Sequence, residues 1–266
     1  MRNPLDYPVF LFLLSLFTFW ASAWFGRRLA ARRTNAASNH DDLVFVLGGT
    51  LTLLGLIIGF TFSMAVNRYD QRKNYEEEEA NAIGTEYARA SLLSAEDGAK
   101  LEELLKRYLD QRILCYQTFE QSQLHRIDAT TLRLQSDMWS VVTSSAVVNP
   151  TPVEALVVSG MNDVLNSQGY AQAAHWNRIP AAAWILLVSI AIFCNLLIGY
   201  SAHGRSALLF LILPVALSIS LFLIADIDSP RRGVIHVKPQ NLQSLAASLR
   251  SPENAELKIN NQSQRR

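Results

Sequence analysis

Read for runs and periods, the sequence separates into four apolar blocks and a mixed middle. Val9 to Phe25, Leu43 to Val66, Ala181 to Tyr200 and Ala207 to Ala225 are each near the roughly 20 apolar residues that cross a hydrocarbon core about 30 Å thick. The third block has Trp184 near its start and Tyr200 at its end, where interfacial aromatics sit. The fourth contains Pro214, which a membrane helix tolerates when neighbours satisfy the freed carbonyl. The pattern predicts an all-α membrane protein. Two transmembrane pairs, in 1–66 and 181–226, flank a helical extramembrane domain at 67–180, and a polar segment, partly disordered, follows at 227–266. The first block admits a second reading: a basic residue, an apolar run and Ala21-Ser22-Ala23 are similar to a cleaved leader. Asp6, the two early prolines and the ending Trp24, Phe25, Arg27, Arg28 favour a retained helix.

In the middle, Leu101, Leu104, Leu105, Tyr108, Cys115 and Phe119 recur at helical spacing with charges between them. Ser94 before Ala-Glu-Asp predicts an N-cap. Breaks are expected around Ile127–Thr131 and at Asn149–Pro152. A further helix carries Leu156, Val157, Met161, Val164 and Leu165 and ends near Gly169 or at the Ile179-Pro180 step. "VVTSSAVV" has some strand character within helical surroundings. The tail is expected to be disordered beyond about Ser251.

The second block continues without proline into charge: "GFTFSMAVNRYDQRKNYEEEEANAIG", Gly59 to Gly84. At 100° per residue, Gly48, Thr52, Gly55 and Gly59 share one face, and Gly55 with Gly59 forms a GxxxG that lets helices approach closely. Leu53, Ile57, Phe60 and Met64 share another, with Leu56 beside it. The bulky face suits lipid, or a hydrophobic constriction in a pore. Asn67, Arg68, Arg72, Lys73 and Glu76 follow at the end of the span, as a candidate mouth. Glu76 to Glu79 read either as an exposed acidic turn of a soluble bundle or as acid ringing an oligomer axis.

Composition adds limits rather than chemistry. Half the 266 residues are hydrophobic and the net charge is +1, which gives no general reason to bind nucleic acid. Cys115 and Cys194 make no framework or CxxC pair. His40, His125, His175, His203 and His236 are scattered, no phosphate loop is present, and nothing supports a nucleotide fold around Asp226-x-Asp228. An enzyme is not expected, nor a metal or cofactor. Charge leaves the membrane orientation open. Arg2, Arg68, Arg72, Lys73, Arg178, Arg231, Arg232 and Lys238 outnumber Arg27, Arg28, Arg32, Arg33 and Arg205 on the other side. The first short loop, with four of those arginines, votes the opposite way.

The Gly59–Gly84 stretch resembles the corresponding part of the bestrophin-like domain family. The resemblance extends to "HDDL" at His40–Leu43, to Ile179, Pro180 and Trp184, and to "DIDSPRRGVIHV" with Asp226, Asp228, Pro230 and Gly233. It implies a pentamer of four-span subunits in the lipid bilayer with a helical cytosolic domain, in a bacterial inner membrane, passing small anions. It implies that the second span lines the pore and narrows at bulky apolar side chains. Carried over on the shared Gly-Phe, the neck falls at Phe60, with Leu56 and Met64 a turn to either side and Leu53 beyond. Two arginines follow the acids of "DIDSPRRG", a departure from an acidic calcium clasp. Asp226 and Asp228 are therefore expected to cap a helix end and pair with Arg231 or Arg232. A non-conducting scaffold whose helical domain binds a partner fits the same features.

Overall fold

The computed structural model describes residues 7–31, 40–201 and 209–251, without the side chains of 40, 41 and 209. The readings that fall on Arg2, Asp6, Arg32, Arg33, His203, Arg205 and the tail beyond Ser251 lie outside them. Eight α-helices follow in order: α1 Pro8–Ala31, α2 His40–Arg89, α3 Ala95–Gln117, α4 Gln121–Val148, α5 Pro152–Trp176, α6 Ala181–Ser201, α7 Leu209–Asp228 and α8 Gln240–Arg250. A short 3-10 turn, Ala90–Leu92, closes α2. No strand occurs among the described residues. The candidate membrane crossings lie on α1, on α2, within Pro152–Ser201 and on α7. The chain divides into two compact units, Met1–Tyr69 with Asn177–His236, and Asp70–Trp176 with Val237–Arg266.

In the first unit α1 packs on α6 and α7. The approach to α6 is backbone on backbone. A β-carbon added at Gly26 would stand 2.1 Å from the Leu196 carbonyl oxygen, and one at Gly199 would stand 1.9 Å from that of Ala23. The Ser22 hydroxyl crosses the same seam to the Ile192 carbonyl at 2.8 Å. Small residues permit this, and packing contact replaces the hydrophobic drive that is missing in lipid. Phe19, Leu54, Leu187, Cys194, Leu221 and Ile224 form the buried core. Trp184 belongs to it rather than to an interfacial belt, at 6% exposed. The hydroxyls of Thr18, Thr52, Thr61 and Ser220 each return to a carbonyl one turn back, which satisfies them without water.

In the second unit α3 packs on α4 and α8, and α4 on α5. Ser94 caps α3 as expected, its oxygen accepting the Asp97 N–H at 3.1 Å. The break expected at Ile127–Thr131 is absent. α4 runs through it, since that stretch holds no Gly or Pro and buries Thr131. The chain breaks instead at Thr118–Glu120, where the Glu120 carboxylate accepts from Ser122 and from Gln123. Phe119 therefore lies in a connection and is half exposed. "VVTSSAVV" is helical, with Val141, Val142 and Ser145 inward at 3–4 spacing. α5 passes Gly169 and reaches Trp176, and the segment read only as polar contains α8.

Candidate functional site: the second membrane helix and its ends

α2 is one helix of 50 residues. In its span it turns little inward: Leu54, Thr61 and Ala65 are buried. That inward stripe leaves two neighbouring faces outside. On one, a β-carbon at Gly48, Gly55 or Gly59 would meet nothing within 4 Å, so the glycine face expected to pack touches no neighbour among the described residues. On the other, Leu53, Leu56, Phe60 and Met64 are exposed at 47%, 54%, 65% and 38%. Ile57, read with them, lies partly against the core.

At the end of the span Asn67 and Lys73 are exposed and Arg68 is intermediate. The Arg68 guanidinium donates to Asn177 Oδ1 and approaches Met64 Sδ at 3.7 Å. Two residues on, the Ile179 N–H donates to both carboxylate oxygens of Asp228, at 3.2 and 3.4 Å. The four residues before α6 are thus held from the end of the α2 span and from the end of α7. Asp226 accepts the N–H groups of Val234 and Ile235 at 2.7 and 2.8 Å. Gly233 is obligatory here, since a β-carbon would lie 2.2 Å from the Asp226 carbonyl. Both carboxylates of this motif accept backbone N–H groups, Asp226 from the turn after α7 and Asp228 from the entry to α6.

Past the membrane, the inward stripe of α2 continues at 3–4 spacing through Arg72, Glu76, Glu79, Ile83, Glu86 and Ala90, all buried. This corrects two expectations. Arg72 and Glu76, read as parts of an exposed mouth, are 2% and 1% exposed. The run of four glutamates does not lie on the surface as one acidic turn: Glu77 and Glu78 face out, Glu76 and Glu79 face in. Four consecutive helical positions sweep about 300°, so they cannot share a side. Glu79 pairs with Arg112 of α3, both buried. Glu76 accepts the Leu242 N–H at 3.0 Å and the Asn241 amide at 2.7 Å. It thereby caps α8 from outside, at the positive end of that helix. Burial pushes its pKa up, against those hydrogen bonds.

Glu86 differs from its neighbours. It is 0% exposed, and neither carboxylate oxygen has a hydrogen-bond partner. Gly160 of α5 makes room for it, since a β-carbon there would lie 2.0 Å from Glu86 Oε2. Burial, with Asp163 adding to it and Arg89 opposing, raises its pKa from 4.5 to about 8. At neutral pH it is therefore mostly a neutral acid. None of this was read from the sequence, although the spacing that reveals it, 72, 76, 79, 83, 86, was present there.

Fold and site together define a four-span, all-helical membrane protein whose second helix enters a helical extramembrane unit. The Bestrophin-like domain family model matches residues 12–242, and the chain belongs to that family. The fold is shared with solved bacterial bestrophin homologues. A bestrophin homologue from Klebsiella pneumoniae superposes with a TM-score of 0.64 at 13% identity, covering 91% of this chain and 96% of that one. Two substituted forms of a Klebsiella pneumoniae bestrophin homologue give TM-scores of 0.62 and 0.63 at 13% identity, over 91% of this chain and 97% of theirs. The search of curated proteins returns no match.

Proposed function

We propose that this chain assembles, as a pentamer by preference, into a channel for small anions in a bacterial inner membrane, with α2 facing the axis. The observation that carries the reading is the pair of unused faces on α2. A glycine face open to a neighbouring helix lies beside an exposed face of Leu53, Leu56, Phe60 and Met64. In a ring, the first would receive the next copy and the second would form the neck. A neck of this kind passes or blocks ions by wetting and dewetting. The inward turn of Glu76 and Glu79 supports anion preference. It leaves Arg68 and Lys73, with Asn67, facing fewer carboxylates near the mouth.

Conductance of the purified chain in planar bilayers tests this. Phe60→Ala and Leu56→Ala should widen the neck and raise single-channel conductance over wild type. Unchanged conductance would refute the neck assignment, and a monomer by native mass spectrometry would refute the ring. The second reading, a scaffold, draws on a different surface. Val147 and Val148 at the end of α4 are 81% and 75% exposed, and Val153 and Leu156 at the start of α5 are half exposed. That is an apolar tip suited to a protein partner.

A further inference from the structure

The turn that follows α7, Ser229 to Ile235, is held with unusual care for an exposed loop. Ser229 Oγ accepts the Arg232 N–H at 3.3 Å, and the buried Asp226 carboxylate takes two more N–H groups from Val234 and Ile235. Gly233 is buried against the last turn of the helix. What this framework presents is apolar and basic. Val234 is 83% exposed and Ile235 39%. Arg232 is exposed, with its guanidinium 4.8 Å over the ring of Tyr7 at the start of α1. An exposed aliphatic pair costs hydration free energy, and the backbone bonds that satisfy Asp226 also fix where that pair is presented. The turn begins one residue after a membrane helix ends, so the medium beside it is the headgroup layer. There, aliphatic side chains reach toward acyl chains, and arginines meet phosphates.

We propose that the Ser229–Ile235 turn is a docking site for anionic phospholipid at the membrane surface. Arg232 binds the headgroup phosphate, and Val234 and Ile235 enter the acyl boundary. The Tyr7 ring holds the Arg232 guanidinium in place through its quadrupole. The site stands whether or not the chain conducts.

The test uses the full chain purified in detergent, with bound lipid counted by native mass spectrometry against added phosphatidylglycerol or phosphatidylcholine. Wild type should retain phosphatidylglycerol in preference, and less so at high salt. Each arginine near an anionic surface contributes about a fivefold gain in affinity. Arg232→Gln should thus weaken phosphatidylglycerol roughly fivefold and leave phosphatidylcholine unchanged. Val234→Ser with Ile235→Ser should weaken both lipids alike. Arg232→Lys keeps the charge and should keep most of the preference. If it loses as much as Arg232→Gln, the arginine serves only the turn and the proposal fails. Equal retention of phosphatidylglycerol by wild type and Arg232→Gln would overturn it. So would a quantitative disulfide between copies carrying Val234→Cys in native membranes, because a second copy would then cover the turn.

Discussion

Glu86 gives the sharpest quantitative expectation. Unfolded, its carboxyl ionises near 4.5; folded, it holds its proton to about pH 8. Below pH 4.5 both states carry the proton and the group adds no pH dependence. As pH rises from there, the unfolded chain releases its proton while the folded chain keeps it, so stability falls until the folded carboxyl also ionises near 8. At about 1.4 kcal/mol for each tenfold change in proton activity, the loss across that interval is on the order of 5 kcal/mol. For a unit of this size, 1 kcal/mol moves the melting midpoint by about 2–4 °C. The thermal midpoint should therefore drop by roughly 10 °C or more between pH 5 and pH 8.5, followed by the fluorescence of Trp139 and Trp176 in the second unit. Glu86→Gln replaces the acid by a neutral group of the same shape. It should remove most of that slope and leave the variant more stable than wild type above pH 8. If the variant keeps the wild-type slope, the proton is not on Glu86 and the account of the buried stripe is wrong.

Other substitutions test separate joints of the fold. Gly26→Ala drives a methyl into the Leu196 carbonyl and should cost at least about 3 kcal/mol, read as loss of folded protein in detergent. Arg112→Ala strands the buried Glu79 charge and should cost about 3–5 kcal/mol, whereas Glu79→Leu combined with Arg112→Met should recover most of it; thermal midpoints of the two variants decide. Glu76→Ala removes the outside cap of α8 for about 1 kcal/mol, and faster hydrogen exchange confined to the α8 amides is the expected sign.

The membrane half was legible because length and apolar content alone decide it: twenty apolar residues have few other uses. The Ser94 cap was legible because its partner is three residues away. The buried stripe was not, since a reading that assigns charge to the surface cannot see Arg72, Glu79 and Glu86 as core. Their partners, Arg112 on α3 and Leu242 on α8, are far along the chain. The helical spacing through Ile83 and Ala90 was the available signal. The false break at Ile127–Thr131 arose from giving β-branched and polar residues the force of Gly or Pro. The glycine face was found, but whether it meets this chain or another copy is a property of the fold, and among the described residues it meets nothing.

The seam between α1 and α6 also constrains the order of synthesis. α1 leaves the ribosome about 150 residues before α6 begins, which at typical elongation rates is on the order of ten seconds. Throughout that interval Gly26 and Ala23 line an unfilled groove in lipid and Ser22 lacks the carbonyl it will bond. Within the same interval α3, α4 and α5 emerge complete. The soluble helices can therefore collapse while the membrane half is still a pair of unmatched segments. α6 closes the seam, and α8, made last among these helices, reaches Glu76 only after every other joint exists. A ribosome stalled between α5 and α6 should accordingly hold a chain that is folded outside the bilayer and open within it.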